Sequence, residues 1–477
     1  MTGALTFVDE VILTGSRRQP PSLDSFVVVR ADSPADVAAY RALRRDVFVD
    51  EQGLFSGSDH DDVDDDPRTV VLVARATHPS SEGEVLGGVR IHAALPGPDL
   101  GWWRGSRLAV ASDARMLMGV GAALVRAACA EAESLGALRF DATVQAQNER
   151  LFRRLGWVPR ERTHLHGHPH VLVDWPIARV QRLVDATKSA LGDLLSTLAG
   201  GVPAGFVGDD GAPVPGSDLV AACDAILPSM VERDPEWAGW CAVLVNLNDL
   251  SAMGAAPVAL LDSLGARDAS FARRVLRGLT DASQAWGVPV VGGHTQLGVP
   301  AALSVTALGR TTRPVPGGGG APGQSLRVTA DLGGGWRPRY TGAQWDSSSH
   351  RTGEELRALA GVVPTLAPTA AKDVSMSGLV GTTGMLAEAS GCRAILDVGT
   401  VPTPAAASYG DWLTCFPGFA MVTAEVASTP PPAALPGFVT TGVCGELVPG
   451  AGVGLRWPDG VVTEAVTSTV TGLGTSS

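Results

Sequence analysis

Four short acidic and glycine-rich motifs stand between Gly208 and Ser375: Gly208-Asp209-Asp210-Gly211, Asn246-Leu247-Asn248-Asp249, Gly292-Gly293-His294-Thr295 and Lys372-Asp373-Val374-Ser375. Hard oxygen donors of this kind suit magnesium, which typically joins a few carboxylates to substrate phosphates. Carboxylates converging on one place cannot all stay ionised without a cation. The chain has two lysines, Lys188 and Lys372, and neither stands in a G-x-x-x-x-G-K-[ST] context. That excludes the phosphate cradle of the P-loop. The residue types therefore point to a nucleotide–magnesium site of another design.

Something must bring these motifs together. Each adjoins a short apolar run (204–207, 242–245, 288–291), so the polar residues are expected at strand ends. Before them, residues 26–176 read as a separate α/β module. Its strands are expected at 27–29, 70–76, 85–93 and 139–144. Helices are expected from Ser33, as cap, to Val49, from Gly119 to Leu135 with Gly136 as stop, and from Glu149 to Leu155. Residues 1–25 read as a tail and 177–199 as a linking helix. Residues 200–313 carry three of the motifs and 314–447 the fourth. The glycine run between Pro314 and Gly323 reads as a hinge, and the Gly-, Thr- and Ser-rich stretch 448–477 has no assignment.

From about 180 to 447 the chain resembles the aminoimidazole ribonucleotide synthase (PurM-like) superfamily. The resemblance rests on V-G-D-D-G-A at 207–212, V-N-L-N-D-L-S-A-M-G-A-A-P at 245–257, 291–296, and A-K-D-V-S-M-S-G-L-V-G-T-T-G at 371–384. It implies a dimer-forming mixed-sheet half followed by an α/β half, with ATP bound against the first half. Asp209, Asp210, Asn248, Asp249 and Asp373 would hold magnesium, and Asp224 matches a further family aspartate. Kinase-like relatives carry aspartate where this chain has His294; imidazole is a poor magnesium ligand, so His294 is expected to touch substrate or phosphate. Lys372 is expected either to stabilise the transferred phosphoryl group or to be a solvated lysine. Segments 340–347 and 412–419 resemble an AIR synthase-related branch whose acyltransferase-fused members are associated with nitrilase gene clusters and nitrogen starvation. ATP-dependent activation of an amide or carboxyl-type oxygen follows as an expectation.

Residues 26–176 resemble GNAT-type N-acyltransferases, through R-A-L-R-R-D-V-F-V-D-E-Q-G at 41–53, Arg107 to Val110, Gly119-Val120-Gly121, and N-x-x-x-F-x-x-x-G-W at 148–157. The whole chain is thus expected to mix α/β and α+β architecture. The resemblance implies that Leu108 and Val110 face an acyl carbonyl. Arg115, Gly119, Gly121 and Asn148 would close on acetyl-CoA, or another acyl-CoA, at a helix N-terminus. Two positions depart from the pattern. Met116 replaces an Arg or Gln, and Phe152 replaces a tyrosine acid, so an active transferase and a silent, regulatory binding module both remain open. Glu51 and His92 are the candidate bases, each with an alternative reading as an ordinary polar residue. The acidic run Asp59 to Asp66 is expected as a solvated loop. His164, His166, His168 and His170 alternate, but Gly167 and Pro169 speak against a shared zinc face.

Composition bounds the rest. At 477 residues the chain is long enough for about three domains. A net charge of −12 argues against nucleic-acid binding. No stretch approaches a membrane span. Six cysteines without C-x-x-C spacing suggest small buried residues in a reducing cytoplasm. The expected partners are a small-molecule substrate and a second copy of the chain.

Overall fold

Val27-Val28-Val29 falls in Phe26–Arg30, the edge strand of a seven-stranded sheet that organises the first of two compact units. The computed structural model describes residues 26–77, 83–116, 119–198, 201–426 and 434–474, the Met116 side chain excepted; the expected tail 1–25 lies outside them. The first unit holds most of residues 26–175 and the second the residues from 176 onward.

In the first unit, Val70–Ala76, Val85–Ala93 and Trp102–Val110 follow the edge strand in order, and Arg139–Gln145 comes next. The sheet closes with the hairpin Val158–Leu165 and His168–Trp175. Ser33 caps the helix Pro34–Arg45 by accepting the Asp36 N–H at 3.1 Å. That helix does not run on to Val49. It widens into a π-helical turn, Asp46–Glu51, which inserts an extra residue into the turn and so shifts the direction of the residues that follow, Glu51 among them. Gly136 stops the helix Val120–Ser134 as expected, at φ 85°.

The acidic run is solvated only in part: Asp62 and Asp65 are exposed, while Asp59, Asp61 and Asp64 are held by arginines. Arg44 Nε lies 2.7 Å from Asp59 Oδ2, and its two terminal nitrogens lie 2.5 and 3.0 Å from Asp64. Arg90 holds Asp61 at 2.6 and 2.8 Å, and Arg107 reaches the Asp59 carbonyl and Asp61, each at 3.0 Å. Burial alone would raise the Asp64 pKa, but Arg44 and Arg90 outweigh it and hold the carboxyl well below its usual range. The three arginines come from distant positions in the chain, which is why the run reads as solvated from its own residues alone.

The second unit carries two large sheets. The first has strand order Val290–Leu297, Ala256–Ala266, Ala302–Arg310, Leu219–Ile226 and Ala212–Pro213. Its one parallel pair, Ala256–Ala266 with Val290–Leu297, is joined by the crossover helix Ala269–Trp286. The helix Pro235–Ala252 packs against that crossover helix through two glycines. A Cβ on Gly278 would meet the Glu236 carbonyl at 1.7 Å, and one on Gly239 the Val275 carbonyl at 2.2 Å. The second sheet runs Ala370–Asp373, Ala420–Glu425, Ser325–Asp331, Val439–Val448, Arg393–Asp397, Val453–Arg456 and Val462–Val466.

Several expectations change here. Asn246 to Asp249 lie within the helix Pro235–Ala252, not at a strand end, because an apolar helix buried on all sides has no amphipathic period to reveal it. The stretch after 447 supplies the last two strands of the second sheet. Beyond them, Glu388 accepts hydrogen bonds from the Val470, Thr471 and Gly474 N–H groups and the Thr471 hydroxyl, at 2.6 to 3.0 Å. The linking helix is two short helices, Arg179–Thr187 and Leu191–Leu195. Five cysteines are buried and Cys223 is exposed. No described helix is long and apolar enough to cross a membrane.

The arginine network makes a stability prediction. Arg44→Met removes the counter-charge that buried Asp59 and Asp64 share, leaving Arg107 and Arg90 to face them, and should cost up to about 3–5 kcal/mol in urea unfolding. Arg41, exposed and 3.8 Å from Asp65, should cost less than about 1 kcal/mol when changed to Met. Equal costs would mean that burial of the pair contributes nothing.

Candidate functional site

Asp210, Asp249 and Asp373 come together in the second unit, with one carboxylate oxygen from each within 4.8 Å of the others. Asp210 sits in the loop before Ala212–Pro213, Asp249 on the buried helix Pro235–Ala252, and Asp373 at the end of the strand Ala370–Asp373. The loop is locked from both sides. The Asp373 N–H donates to Asp210 Oδ2 at 3.0 Å, and the Gly317 N–H donates to Asp209 Oδ2 at 2.6 Å.

Lys372 organises this arrangement. Its ammonium donates to Gly208 O at 3.2 Å, Asp209 Oδ1 at 3.0 Å and Asp210 Oδ1 at 2.9 Å. An ammonium has three N–H donors, and all three are engaged. Burial opposes the charge on Lys372, but Asp210 and Asp209 more than offset that and raise its pKa. Lys372 is therefore neither solvated nor free for a phosphoryl oxygen in this geometry; it holds the Gly208–Gly211 loop.

The remaining charge is not balanced. Burial, and then the Asp209 charge, push Asp210 up to about 6 against the pull of Lys372 and the Asp373 N–H. Burial pushes Asp249 well up too, helped by the charges of Asp373, Asp224 and Asp210. Asp373 moves the same way, from burial and from Asp210 and Asp224. Asp249 Oδ2 is buried and has no hydrogen-bond partner among the described residues. An unpaired buried carboxylate oxygen costs free energy that a cation would recover.

Other expected residues take other places. Asn248 Nδ2 donates to the Gly418 carbonyl at 3.1 Å. Asp224 lies outside the 4.8 Å set, although its charge acts on two members of it. Asn246 Oδ1 accepts the Asp224 N–H at 3.2 Å. His294 is exposed on the edge strand Val290–Leu297, paired in register with Ser263, and is not gathered with the carboxylates. The glycine run expected as a hinge is a wall of the site. A Cβ on Gly317 would meet Asp209 Oδ1 at 2.6 Å and Lys372 Cε at 2.9 Å, and one on Gly319 would meet the Thr369 carbonyl at 2.0 Å. Four consecutive glycines were the available signal for such close approach.

The first unit has a cleft of about 560 Å³. Glu51, Leu108, Val110, Arg115, Gly121 and Asn148 line it. Gly119 is not in the lining; its φ is 116°. Arg115 grips Glu51 through two nitrogens, at 2.5 and 2.7 Å, and that pairing holds the Glu51 carboxyl below its usual range. His92 is outside the lining; its Nδ1 lies 2.9 Å from the Ala93 carbonyl oxygen, and burial lowers its pKa. Phe152 is a core residue, edge-on to Trp157 at 5.4 Å. The alternating histidines form a hairpin rather than a metal set; His168 and Pro169 reach the cleft, a placement sequence reasoning missed.

Comparison with known proteins agrees with this division. The family "Acetyltransferase (GNAT) family" matches residues 38–157, and "AIR synthase related protein, N-terminal domain" matches 208–311. An uncharacterized protein of Synechocystis is 37% identical over 221 residues, covering 45% of this chain and 68% of that protein. An uncharacterized protein of Methanocaldococcus jannaschii is 31% identical over 192 residues, covering 38% and 58%. A thiamine-monophosphate kinase of Synechococcus elongatus is 34% identical over 137 residues, covering 26% and 42%; the chain thus spans well under two thirds of these last two relatives. Among solved structures, thiamine monophosphate kinase of Aquifex aeolicus matches at 21% identity and TM-score 0.42, covering 57% of this chain and 96% of that one. Phosphoribosylformylglycinamidine synthase II of Thermotoga maritima matches at 17% and 0.47, covering 61% and 52%. These low structural likenesses leave the site chemistry to the chain's own residues.

The crowded carboxylates yield a direct expectation. Asp249→Asn should stabilise the metal-free protein by on the order of 1 kcal/mol, the scale of one pKa unit, by removing like-charge repulsion. The same change should abolish any rise in melting temperature on adding magnesium. A magnesium response that persists in the folded variant would remove Asp249 from the metal set.

Proposed function

This chain belongs to the AIR synthase-related family and carries a GNAT-family acetyltransferase domain ahead of that region, and on that premise we propose an enzyme with two activities. The second unit activates an amide or carboxyl-type oxygen of a small nitrogenous molecule with ATP. The first transfers an acyl group from acetyl-CoA, or another acyl-CoA, to nitrogen.

The observation that carries the ATP reading is the orphaned oxygen of Asp249 inside a cluster of three buried carboxylates. All donors are hard oxygens, which fits magnesium. Asp210, Asp249 and Asp373 would hold the ion. Bound there, magnesium would neutralise phosphate charge and join the carboxylates to the nucleotide. Lys372 and the Gly317 N–H keep the Gly208–Gly211 loop in place, so the carboxylates need no rearrangement when charge arrives. A nitrile- or amide-related role, with phosphate released rather than retained, is our reading of the substrate class. The kinase relatives support a second reading in which the phosphoryl group stays on the product.

The homodimer is proposed on different grounds. Every residue of the edge strand Val290–Leu297 is exposed, and it presents Val291 and Leu297 to solvent beside Val258 and Leu261 of the neighbouring strand. A second copy covering this face would remove apolar surface from water and satisfy the free strand edge.

Two measurements follow. Asp210→Asn should weaken magnesium-dependent ATP binding by on the order of tenfold or more in calorimetry, and phosphorus NMR of wild-type turnover with candidate amides and carboxylates should show inorganic phosphate. Unchanged affinity would undo the nucleotide site; a phosphomonoester growing in step with ADP would establish the kinase reading. In sedimentation, wild type should be dimeric and the double variant Val291→Asp, Leu297→Asp monomeric. A monomeric wild type would end the dimer proposal.

A further inference from the structure

The lining of the first unit's cleft includes three ionisable residues among the described ones: Glu51, Arg115 and His168. Arg115 is a cation at every relevant pH and cannot accept a proton. Glu51 is gripped by both terminal nitrogens of Arg115, which occupies its oxygens and lowers its basicity. His92 does not line the cleft, and Phe152 is an apolar core residue. His168 is the remaining ionisable residue of the lining.

We infer that His168 is the proton acceptor for acyl transfer in this cleft. The inference rests on reading the first unit as an acyltransferase. The hairpin explains why the histidine stands there. His166 and Gly167 both have positive φ, at 49° and 78°, and the register pairs Leu165 with His168; this is a two-residue type I′ turn with His168 as the first residue beyond it. The turn is held on one side by the His166 ring, 4.5 Å from that of Phe55. On the other side, Nδ1 of buried His170 lies 2.9 Å from the His168 carbonyl oxygen. Backbone fixed at both ends keeps exposed His168 at the cleft wall. This gives the alternating histidines a use that needs no metal.

The step balances without a further reactant. The lone pair of a neutral amine forms a bond to the thioester carbonyl carbon, and the carbonyl π electrons move to oxygen. When the carbonyl re-forms, the carbon–sulfur bond breaks and its electrons leave on the thiolate. The amine proton passes to the His168 imidazole, and the resulting imidazolium returns it to the thiolate. The products are an amide and the CoA thiol.

The test uses the full chain with acetyl-CoA and a panel of primary amines, read as thiol release, with water as nucleophile if no amine accelerates it. His168→Ala should lower kcat on the order of a hundredfold while the KM for acetyl-CoA holds, and free imidazole should restore part of the rate. His168→Gln should lose the rate without rescue, and Glu51→Gln should change mainly the KM for acetyl-CoA. A His168→Ala enzyme with wild-type kcat overturns the proposal and leaves the acyltransferase reading standing. So does a loss that imidazole cannot restore and that raises KM to match, since that is what a purely structural residue would give. A wild type that binds acetyl-CoA and releases no thiol to amine or water overturns both.

Discussion

Burying Asp209, Asp210, Asp249 and Asp373 around a single lysine is the constraint on which the second unit is built. Lys372 can satisfy only part of that charge, and its three donors go to one loop. The rest of the arrangement serves to hold like charges close despite their repulsion. Asp249 is fixed by a helix buried almost throughout, whose crossing with its neighbour is close enough to require glycine at 239 and 278. Asp373 is fixed by a strand within a seven-stranded sheet. Gly317 passes so near Asp209 and Lys372, and Gly318 and Gly319 so near the Ala389 and Thr369 carbonyls, that no side chain fits. A protein interior transmits such strain rather than absorbing it, so the cluster stays assembled.

The first unit shows the opposite outcome from similar material. Three aspartates of its acidic run, Asp59, Asp61 and Asp64, meet Arg44, Arg90 and Arg107, and the result is a paired, largely buried network. Asp64 is held low, whereas Asp249 and Asp373 are pushed high. Matched charge makes structure; unmatched charge leaves a cluster that a cation would neutralise. Both segments are dense in aspartate, and only the number of arginines and lysines folded against them separates the two.

The cleft of the first unit follows the same logic on a smaller scale. The π-helical turn Asp46–Glu51 swings Glu51 toward Arg115, and their pairing takes the one carboxylate in the lining out of service as a base. What is left is set by a hairpin whose turn residues, His166 and Gly167, look from composition alone like a possible metal tract.

The local motifs were enough to indicate two α/β-rich modules and to exclude the P-loop motif, and they contain the three aspartates that the fold gathers. Those properties depend on residue type and short-range pattern, which a linear chain displays directly. The Ser33 cap and the Gly136 stop were legible for the same reason: each acts within one helical turn. Tertiary structure decided everything that needed a partner from far along the chain. It placed Asn246 to Asp249 on a buried helix, engaged Lys372 with the Gly208–Gly211 loop, turned the glycine hinge into a wall, and left His294 on an open edge strand. Charge pairing and close packing act through space, between residues more than a hundred positions apart, and no spacing along the chain records them.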